Sequence, residues 1–490
     1  MELMKNNKGV FGSEEASLVV DKLKETFLSG KTMSYEWRLS QLKGLMKILD
    51  HHEPDIIKAL YSDLSKPPTE TIAYEISTVR SSIEFAMKEL KRWMEPEKVK
   101  NTILSFPSSV KIIHEPLGVV LVISAWNFPF YLSLEPVIGA ISAGNAVVLK
   151  PSEISPSTSS LLAELFLKYM DTSAIEVVEG GIPQTSALLE QKWDKILFTG
   201  NENVGRIVMT AGVKHLTPVI LELGGKCPAF VDSNINLKVA IRRIIAGKWT
   251  MNNGQACICV DYVITTKDFA PKLIDALKSE LEIFFGKNPM ESEDLSRIVN
   301  LNHFRRIKRL LDDDKLSGKI VHGGQSDESK LKMAPTIILL DVTDQKEALV
   351  MKEEIFGPLL PIIQVESIEK GFEMMKFKEK PLAAYLFTND NKLKDEFVEK
   401  VSAGGLLIND VALHVAHPYL PFGGVGKSGF GAYHGKFSFE CFSHKKGVLS
   451  RSFAGDTTAR YPPYTPGKLR MLKALLSGRI FTIIRALLGI

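Results

Sequence analysis

The sequence predicts an α/β protein built from two parallel-sheet units and a small β arm. Short apolar runs rich in Val and Ile, "LGVVLVIS" (117–124), "NAVVLK" (145–150), "IEVVEG" (175–180) and "KILFTG" (195–200), alternate with helical segments. That alternation indicates a parallel sheet covered on both faces. A second alternating series follows a glycine pair at Gly224–Gly225. Two extended stretches, "VKIIHEP" (110–116) and "FSHKKGVLS" (442–450), belong to neither series and supply the arm.

The elements follow in order. From Ala16 to about Trp93, apolar residues recur at three- and four-residue steps, as in "LVVDKLKETFLSG", which predicts helices. The period then changes to the runs above. One intervening helix is expected to start at Pro156 after Ser155, a favourable N-cap and first-turn pair. In the second unit, "CPAFVD" leads into a helix through "VAIRRIIAGKW", then "VDYVITT" and the helix "APKLIDALKSELEIFF". "IVHGG", "APTIILL" and "GPLLPIIQV" are the later strands.

Composition narrows the class. A chain of 490 residues with 45% apolar and 24% charged residues reads as a globular protein of two or three structural units. A net charge of +4, with no basic patch interleaved with aromatics, argues against a nucleic-acid binder. The four cysteines, Cys227, Cys257, Cys259 and Cys441, are too few for a disulfide scaffold and fit a reducing compartment. The first residues, "MELMKNNKGVFGSEEAS", have no apolar secretory core and carry acids early, so cytoplasm is the expected location. From Lys468 to Ile490 the chain mixes apolar residues with Lys468, Arg470, Lys473, Arg479 and Arg485. A spanning helix needs about 18 apolar residues with few charges. Two readings stand side by side: an interfacial helix snorkelling its cations towards lipid phosphates, and a terminal helix docked on the protein's own surface.

Several stretches could carry chemistry, each with a plainer alternative. "VLKPSEISP" ends a strand with Lys150 and Glu153, which could bond ribose hydroxyls or form a surface ion pair. "LFTGNENVGRIV" ends a strand at Gly200 and opens a helix with Gly205 in its first turn, a phosphate site or an ordinary strand–turn–helix. "ISAWNFPF" places Asn127 after a buried strand, where an amide can stabilise an oxyanion or merely close its own turn. "VILELGGKCPAF" puts Glu222 at a strand end, as a general base or a helix cap. The glycine spacing of "LFTGNENVG" is not the G-x-G-x-x-G fingerprint.

Together and in order, "WNFP", "KPSE", "FTGNENVG", "ELGGK", "GQAC", "EEIFGP" and "PFGGVGKSG" resemble the aldehyde dehydrogenase superfamily, from about Ser13 to His444. "GAYHGKFSFECFSH" looks like its class 3 branch, which includes the fatty aldehyde dehydrogenases, and the overall look is most like plant members. The resemblance implies a Rossmann-like cofactor domain over 1–97 and 119–225 and a catalytic domain over 226–422. It further implies a bridging and oligomerisation arm over 98–118 and 423–450, followed by the basic apolar tail from 451. It implies that Cys257 is the nucleophile, that Asn127 and the Cys257 main-chain N–H hold the oxyanion, and that Glu222 is the base for thioester hydrolysis.

The same resemblance carries over a cofactor set: Trp126, Lys150, Glu153, Gly200, Val204, Glu354 and Phe356. NAD is the expected coenzyme and NADP a tolerated one, since a carboxylate at Glu153 repels a 2′-phosphate. Asn409 in "LLINDV" matches an active-site asparagine position, with a turn residue as the alternative. His414 and His417 lack a third ligand nearby, so no metal is expected and they read as pocket wall or surface. Cys259 reads as an apolar packer or a thiol that could trap an oxidised Cys257. The expected activity is NAD(P)-dependent oxidation of medium- to long-chain aldehydes by a homodimer. A coenzyme-A-acylating relative and a catalytically silent homologue are the alternatives, against which the presence of Glu222, Cys257 and Asn127 weighs.

Overall fold

The computed structural model of the chain describes residues 11–102, 108–376, 379–454, 456, 458–479, 481–482 and 485. They fall into two compact units, one of residues up to 90 with 116–442, the other of 91–115 with the chain from 443 on.

In the first unit the Val- and Ile-rich runs form strands. Val119–Ile123, Ala146–Lys150, Ile175–Val177, Lys195–Thr199 and Val219–Glu222 lie parallel in a six-stranded sheet, with Gly429–Phe430 antiparallel at one edge. Every residue of 119–123 and 146–150 is buried, which is why these strands read as continuous apolar runs. Val119–Ile123 comes first in the chain but sits inside the sheet, with Lys195–Thr199 on one side and Ala146–Lys150 on the other. Such a reversal of strand order opens a crevice at the carboxyl ends. The register sets Ile123 level with Lys150 and Phe198, and Thr199 level with Glu222.

The second sheet has seven strands in the order Ile320–His322, Thr336–Asp341, Leu359–Val365, Tyr262–Thr266, Pro228–Val231, Ala383–Phe387 and Gly405–Ile408. Only the first pair is antiparallel. Ala383–Phe387 and Gly405–Ile408 go beyond the strands expected from sequence. Apolar runs this short cannot be told from pieces of buried helix by period alone. The sheet's core includes Phe230, Tyr262, Ile338, Ile363 and Leu386.

The N-terminal helices are Ser13–Leu28, Tyr35–Leu64 and Ser77–Met94. The second contains Pro54 and departs from helical geometry at His52, as a missing N–H and a ring clash require. Between the last two lies a π-helical turn, Ile72–Ile76, which the periodicity does not reveal.

Helix Pro156–Tyr169 starts where expected, but Ser155 makes no side-chain cap bond. Asp63, from the end of Tyr35–Leu64, accepts instead from the N–H groups of Ser157 (2.9 Å) and Thr158 (2.8 Å). The second unit contains a three-stranded sheet, Glu97–Lys98, Ser108–Pro116 and Ser443–Arg451, and the helix Pro466–Leu476. Among the described residues, no helix is long and apolar enough to cross a membrane.

Because Asp63 caps a helix it does not belong to, Asp63→Ala should cost about 1–2 kcal/mol, read as a lower urea midpoint at unchanged slope. A midpoint equal to that of the parent would remove the cap from the account.

Candidate active site

Loops at the carboxyl ends of the six-stranded sheet touch loops that lead into the seven-stranded one. After Val119–Ile123, the Trp126 ring packs edge-on against Phe356 (5.3 Å between centroids) and against His303 (4.8 Å). Its neighbour Asn127 donates from Nδ2 to the Gln255 carbonyl at 3.1 Å. Glu354 accepts from the main chain of Gly225. It lies so close to Gly224 that a Cβ there would stand 2.4 Å from the carboxylate. The glycine pair seen in the sequence is therefore a close approach between two sheets, in addition to a boundary.

Cys257 sits in a loop with an unusual backbone. Asn252, Asn253 and Gly254 take φ values of 52°, 49° and 80° in succession. Asn and Gly are the residues that enter this left-handed region most readily, so the "NNG" run is a conformational requirement. A Cβ on Gly254 would also lie 2.2 Å from the Gly357 carbonyl oxygen.

Buried acids hold the loop. Glu70 accepts from the Asn252 N–H at 2.7 Å and from the Ser296 hydroxyl at 3.1 Å. Lys66 and Glu75 form a fully buried ion pair. From it Lys66 donates to the Asn127 carbonyl (3.2 Å), while Glu75 accepts from the N–H groups of Phe130 (2.9 Å) and Tyr131 (3.1 Å).

A cavity of about 550 Å³ is lined by Cys257 and Asn127. Its wall includes Phe128, Leu132, Ile258, Phe284, Val411 and Phe422, and the charged residues on it are Arg242, Arg243 and Asp410. Burial pushes the Cys257 thiol far above its ordinary value, and the Glu354 and Glu222 carboxylates push it in the same direction. Burial raises Glu222 well above the carboxylate range. Neither Glu222 oxygen has a hydrogen-bond partner among the described residues, a condition that costs about 1–3 kcal/mol per group unless water intervenes. Glu354 is raised to about 8, by burial first and by Asp261 second.

The expected cofactor residues lie around the crevice. Lys150, buried, bonds the half-exposed Glu153 at 2.8 Å. Gly200 donates to the Glu222 carbonyl, and a Cβ on it would meet the Phe198 ring at 2.4 Å. Helix Glu202–His215 is capped by Asn201, which takes the Val204 N–H on its side chain and the Gly205 N–H on its carbonyl. Those two donors are therefore occupied, and Gly205 serves close packing, since a Cβ would stand 3.1 Å from Leu223.

Some expectations move. The Asn409 side chain does not face the cavity: it exchanges two bonds with the main chain of Thr388 (both 2.9 Å), closing a turn at φ 62°. His414 is buried in part and packs on Phe422, whereas His417 is exposed. The Cys259 thiol donates to the Gly254 carbonyl at 3.2 Å, with Lys248 3.9 Å away. All four cysteines are free thiols.

Sequence reading missed Lys66, Glu70 and Glu75. Three charged groups within ten residues, around an otherwise apolar "PPTETIAYE", were the available signal. It also missed the brace on the "EEIFGP" loop. Lys226 donates to Asp261 and to the Val350 (2.7 Å) and Glu353 (3.0 Å) carbonyls, and Arg306 donates to the Glu354 (3.2 Å) and Ile355 (2.6 Å) carbonyls.

Two α/β sheets meeting at a crevice that holds a thiol, an amide and raised carboxyls define an enzyme architecture. The chain belongs to the aldehyde dehydrogenase family, whose profile matches residues 10–448. It is 63% identical over 487 residues to "Aldehyde dehydrogenase family 3 member I1, chloroplastic" of Arabidopsis thaliana, a match covering 99% of this chain and 88% of that one. It is 45% identical over 452 residues to "Aldehyde dehydrogenase, dimeric NADP-preferring" of Rattus norvegicus, covering 92% and 98%. A substrate-bound structure of Staphylococcus aureus AldH superposes with a TM-score of 0.90 at 40% identity, covering 94% of this chain and 99% of that one. The protein is thus an aldehyde-oxidising, NAD(P)-dependent oxidoreductase.

Replacing Glu75 by Gln leaves the buried Lys66 charge without its counter-ion. Stability should fall by about 3–5 kcal/mol, seen as a lower melting temperature. A shift of less than a degree would contradict the buried pair.

Proposed function

We propose that this chain oxidises medium- to long-chain apolar aldehydes to carboxylic acids through covalent attachment to Cys257. The observation that carries the reading is the largely apolar cavity of about 550 Å³ shared by Cys257 and Asn127. The Cys257 sulfur attacks the aldehyde carbonyl carbon. Asn127 uses one amide N–H on Gln255 and has a second for the developing oxyanion, beside the Cys257 main-chain N–H. The nicotinamide cofactor, when bound, supplies the hydride acceptor. An acyl thioester then remains on Cys257, and Glu222 takes a proton from the water that hydrolyses it.

For the cofactor, Lys150 and Glu153 offer a donor and an acceptor at a strand's carboxyl end, where a ribose fits. The Trp126–Phe356 edge contact and the braced Glu354 provide the wall and the carboxylate for the nicotinamide end. A carboxylate at Glu153 disfavours a 2′-phosphate, so NAD is preferred and NADP tolerated. The pair with Lys150 softens that repulsion.

A homodimer is supported by the strand Ser443–Arg451, which lies at the edge of its three-stranded sheet, where a second copy can add a strand. A reducing compartment such as the cytoplasm is supported by the four free thiols. Helix Pro466–Leu476, with Leu469 and Leu476 exposed beside Lys468, Arg470 and Lys473, suits contact with an anionic membrane surface.

Rates with aldehydes from acetaldehyde to hexadecanal test the substrate class. kcat/KM should climb by up to about fourfold per methylene, the equivalent of about 0.8 kcal/mol each, until the cavity is full. NAD should outperform NADP throughout. A flat profile, or NADP equal to NAD, would overturn the corresponding half of the proposal, and Cys257→Ser should abolish NADH formation with hexanal.

The pH dependence follows from burial. Burial favours the protonated forms of both Glu222 and the Cys257 thiol, so the fraction in the reactive, deprotonated forms grows as pH rises. Turnover should increase by up to about tenfold per pH unit on the limiting limb. In Glu222→Gln, the residual hydrolytic rate should lose that slope. A turnover falling from pH 7 to 9 would contradict the assignment.

A further inference from the structure

Two polar groups near Cys257 have no hydrogen-bond partner among the described residues; they lie on neighbouring segments, and the Glu222 charge is close enough to raise both the Cys257 thiol and the Tyr433 phenol. One is the Glu222 carboxyl, both of whose oxygens are buried. The other is the hydroxyl of Tyr433, a wholly buried residue that lines the same cavity as Cys257 and Asn127. The backbone brings them together. Gly429–Phe430 runs antiparallel to Leu221–Glu222, with Gly429 opposite Glu222. A few residues on, Tyr433 exchanges two main-chain bonds with Phe422 (3.0 and 2.9 Å). Buried polar groups are almost always bonded to protein or to water, so an unpartnered donor beside an unpartnered carboxyl asks for a water.

The other phenols of the cavity are engaged. The Tyr131 hydroxyl stands 2.9 Å from His434 Nε2. His434 is kept neutral by burial and bonds the Val415 main chain, and its ring stacks on Phe422 at 4.8 Å. Its free nitrogen therefore takes the Tyr131 proton. Tyr74 has the Thr250 side chain as a partner. Tyr433 is left with a proton to give, and burial keeps that proton on the phenol.

We propose that Tyr433 is a positioning residue for thioester hydrolysis, holding the attacking water between its hydroxyl and Glu222. The inference rests on the reading above that Cys257 becomes acylated. The Tyr433 O–H donates to one lone pair of the water, and one water hydrogen points at a Glu222 oxygen. The second lone pair forms the new C–O bond at the thioester carbonyl. The water's O–H bond breaks and its proton passes to Glu222. The C–S bond then breaks with its electron pair on the Cys257 sulfur, and the carboxylic acid departs. No oxidant or reductant enters this half of the cycle.

The test is Tyr433→Phe in the full chain, which removes one oxygen and retains the ring, assayed with hexanal and NAD. Steady-state kcat should fall by about ten- to a hundredfold, while the first turnover keeps its rate and gives a burst of about one NADH per site. KM should fall with kcat, leaving kcat/KM nearly unchanged. Acid-quenched variant should carry a hexanoyl group on the Cys257 peptide. Hydroxylamine, a nucleophile that needs no positioned water, should restore turnover. Parent-like kinetics would overturn the proposal. So would a parallel loss of burst and steady rate without rescue, which is what a merely structural role would give. A missing acyl group on Cys257, in parent and variant alike during turnover, would instead overturn the covalent reading on which the inference stands.

Discussion

The buried pair of Lys66 and Glu75 is the interaction on which the site depends. Its charges are fully removed from solvent, and each is spent on main-chain groups near the chemistry. Glu75 accepts the first free N–H groups of helix Tyr131–Ala143, for which Phe130 offers no side-chain cap. A carboxylate at a helix N-terminus is favourable electrostatically, and more so away from water. Lys66 meanwhile holds the Asn127 carbonyl and rests 4.0 Å over the Phe128 ring. The amide that faces the cavity is thus set by a charge pair contributed from another part of the chain. Glu70 performs the same service for the loop before Cys257, accepting from Asn252.

A second constraint is the collection of neutralised acids around the thiol. Glu222, Glu354 and Cys257 are all raised by burial, and the Glu354 and Glu222 charges add to the rise at the thiol. Ionising either carboxyl makes the thiol harder to ionise. The Asn252–Gly254 backbone adds strain in the same place. Glu70 holds the Asn252 N–H in place, and Gly357 leaves no room for a Cβ on Gly254.

Much of this was legible in the one-dimensional chain. The runs at 117–124, 145–150 and 195–200 announced a buried parallel sheet, because full burial on both faces demands uninterrupted Val and Ile. The ordered strings from "WNFP" to "PFGGVGKSG" announced the family, and the family match confirms it. Other features were not legible. Asn409 looked like a site residue but spends its side chain on Thr388, a partner 21 residues earlier that directly follows the strand Ala383–Phe387. Ser155 looked like a cap, but Asp63, 94 residues before Ser157, does that work.

What the sequence by itself determined is the local grammar: strand and helix periods, and the residues that carry reactive atoms. Those depend on side-chain type and on neighbours a few positions away. Only the tertiary structure decided which buried polar groups find partners and which are left over. Lys66 is neutralised by Glu75, Tyr131 is satisfied by His434, and among the described residues Glu222 and Tyr433 remain unpartnered on adjacent segments. The reason is physical. A hydrogen bond is satisfied or broken over a fraction of an ångström, between residues as far apart in the chain as Tyr131 and His434, and no periodicity encodes that distance.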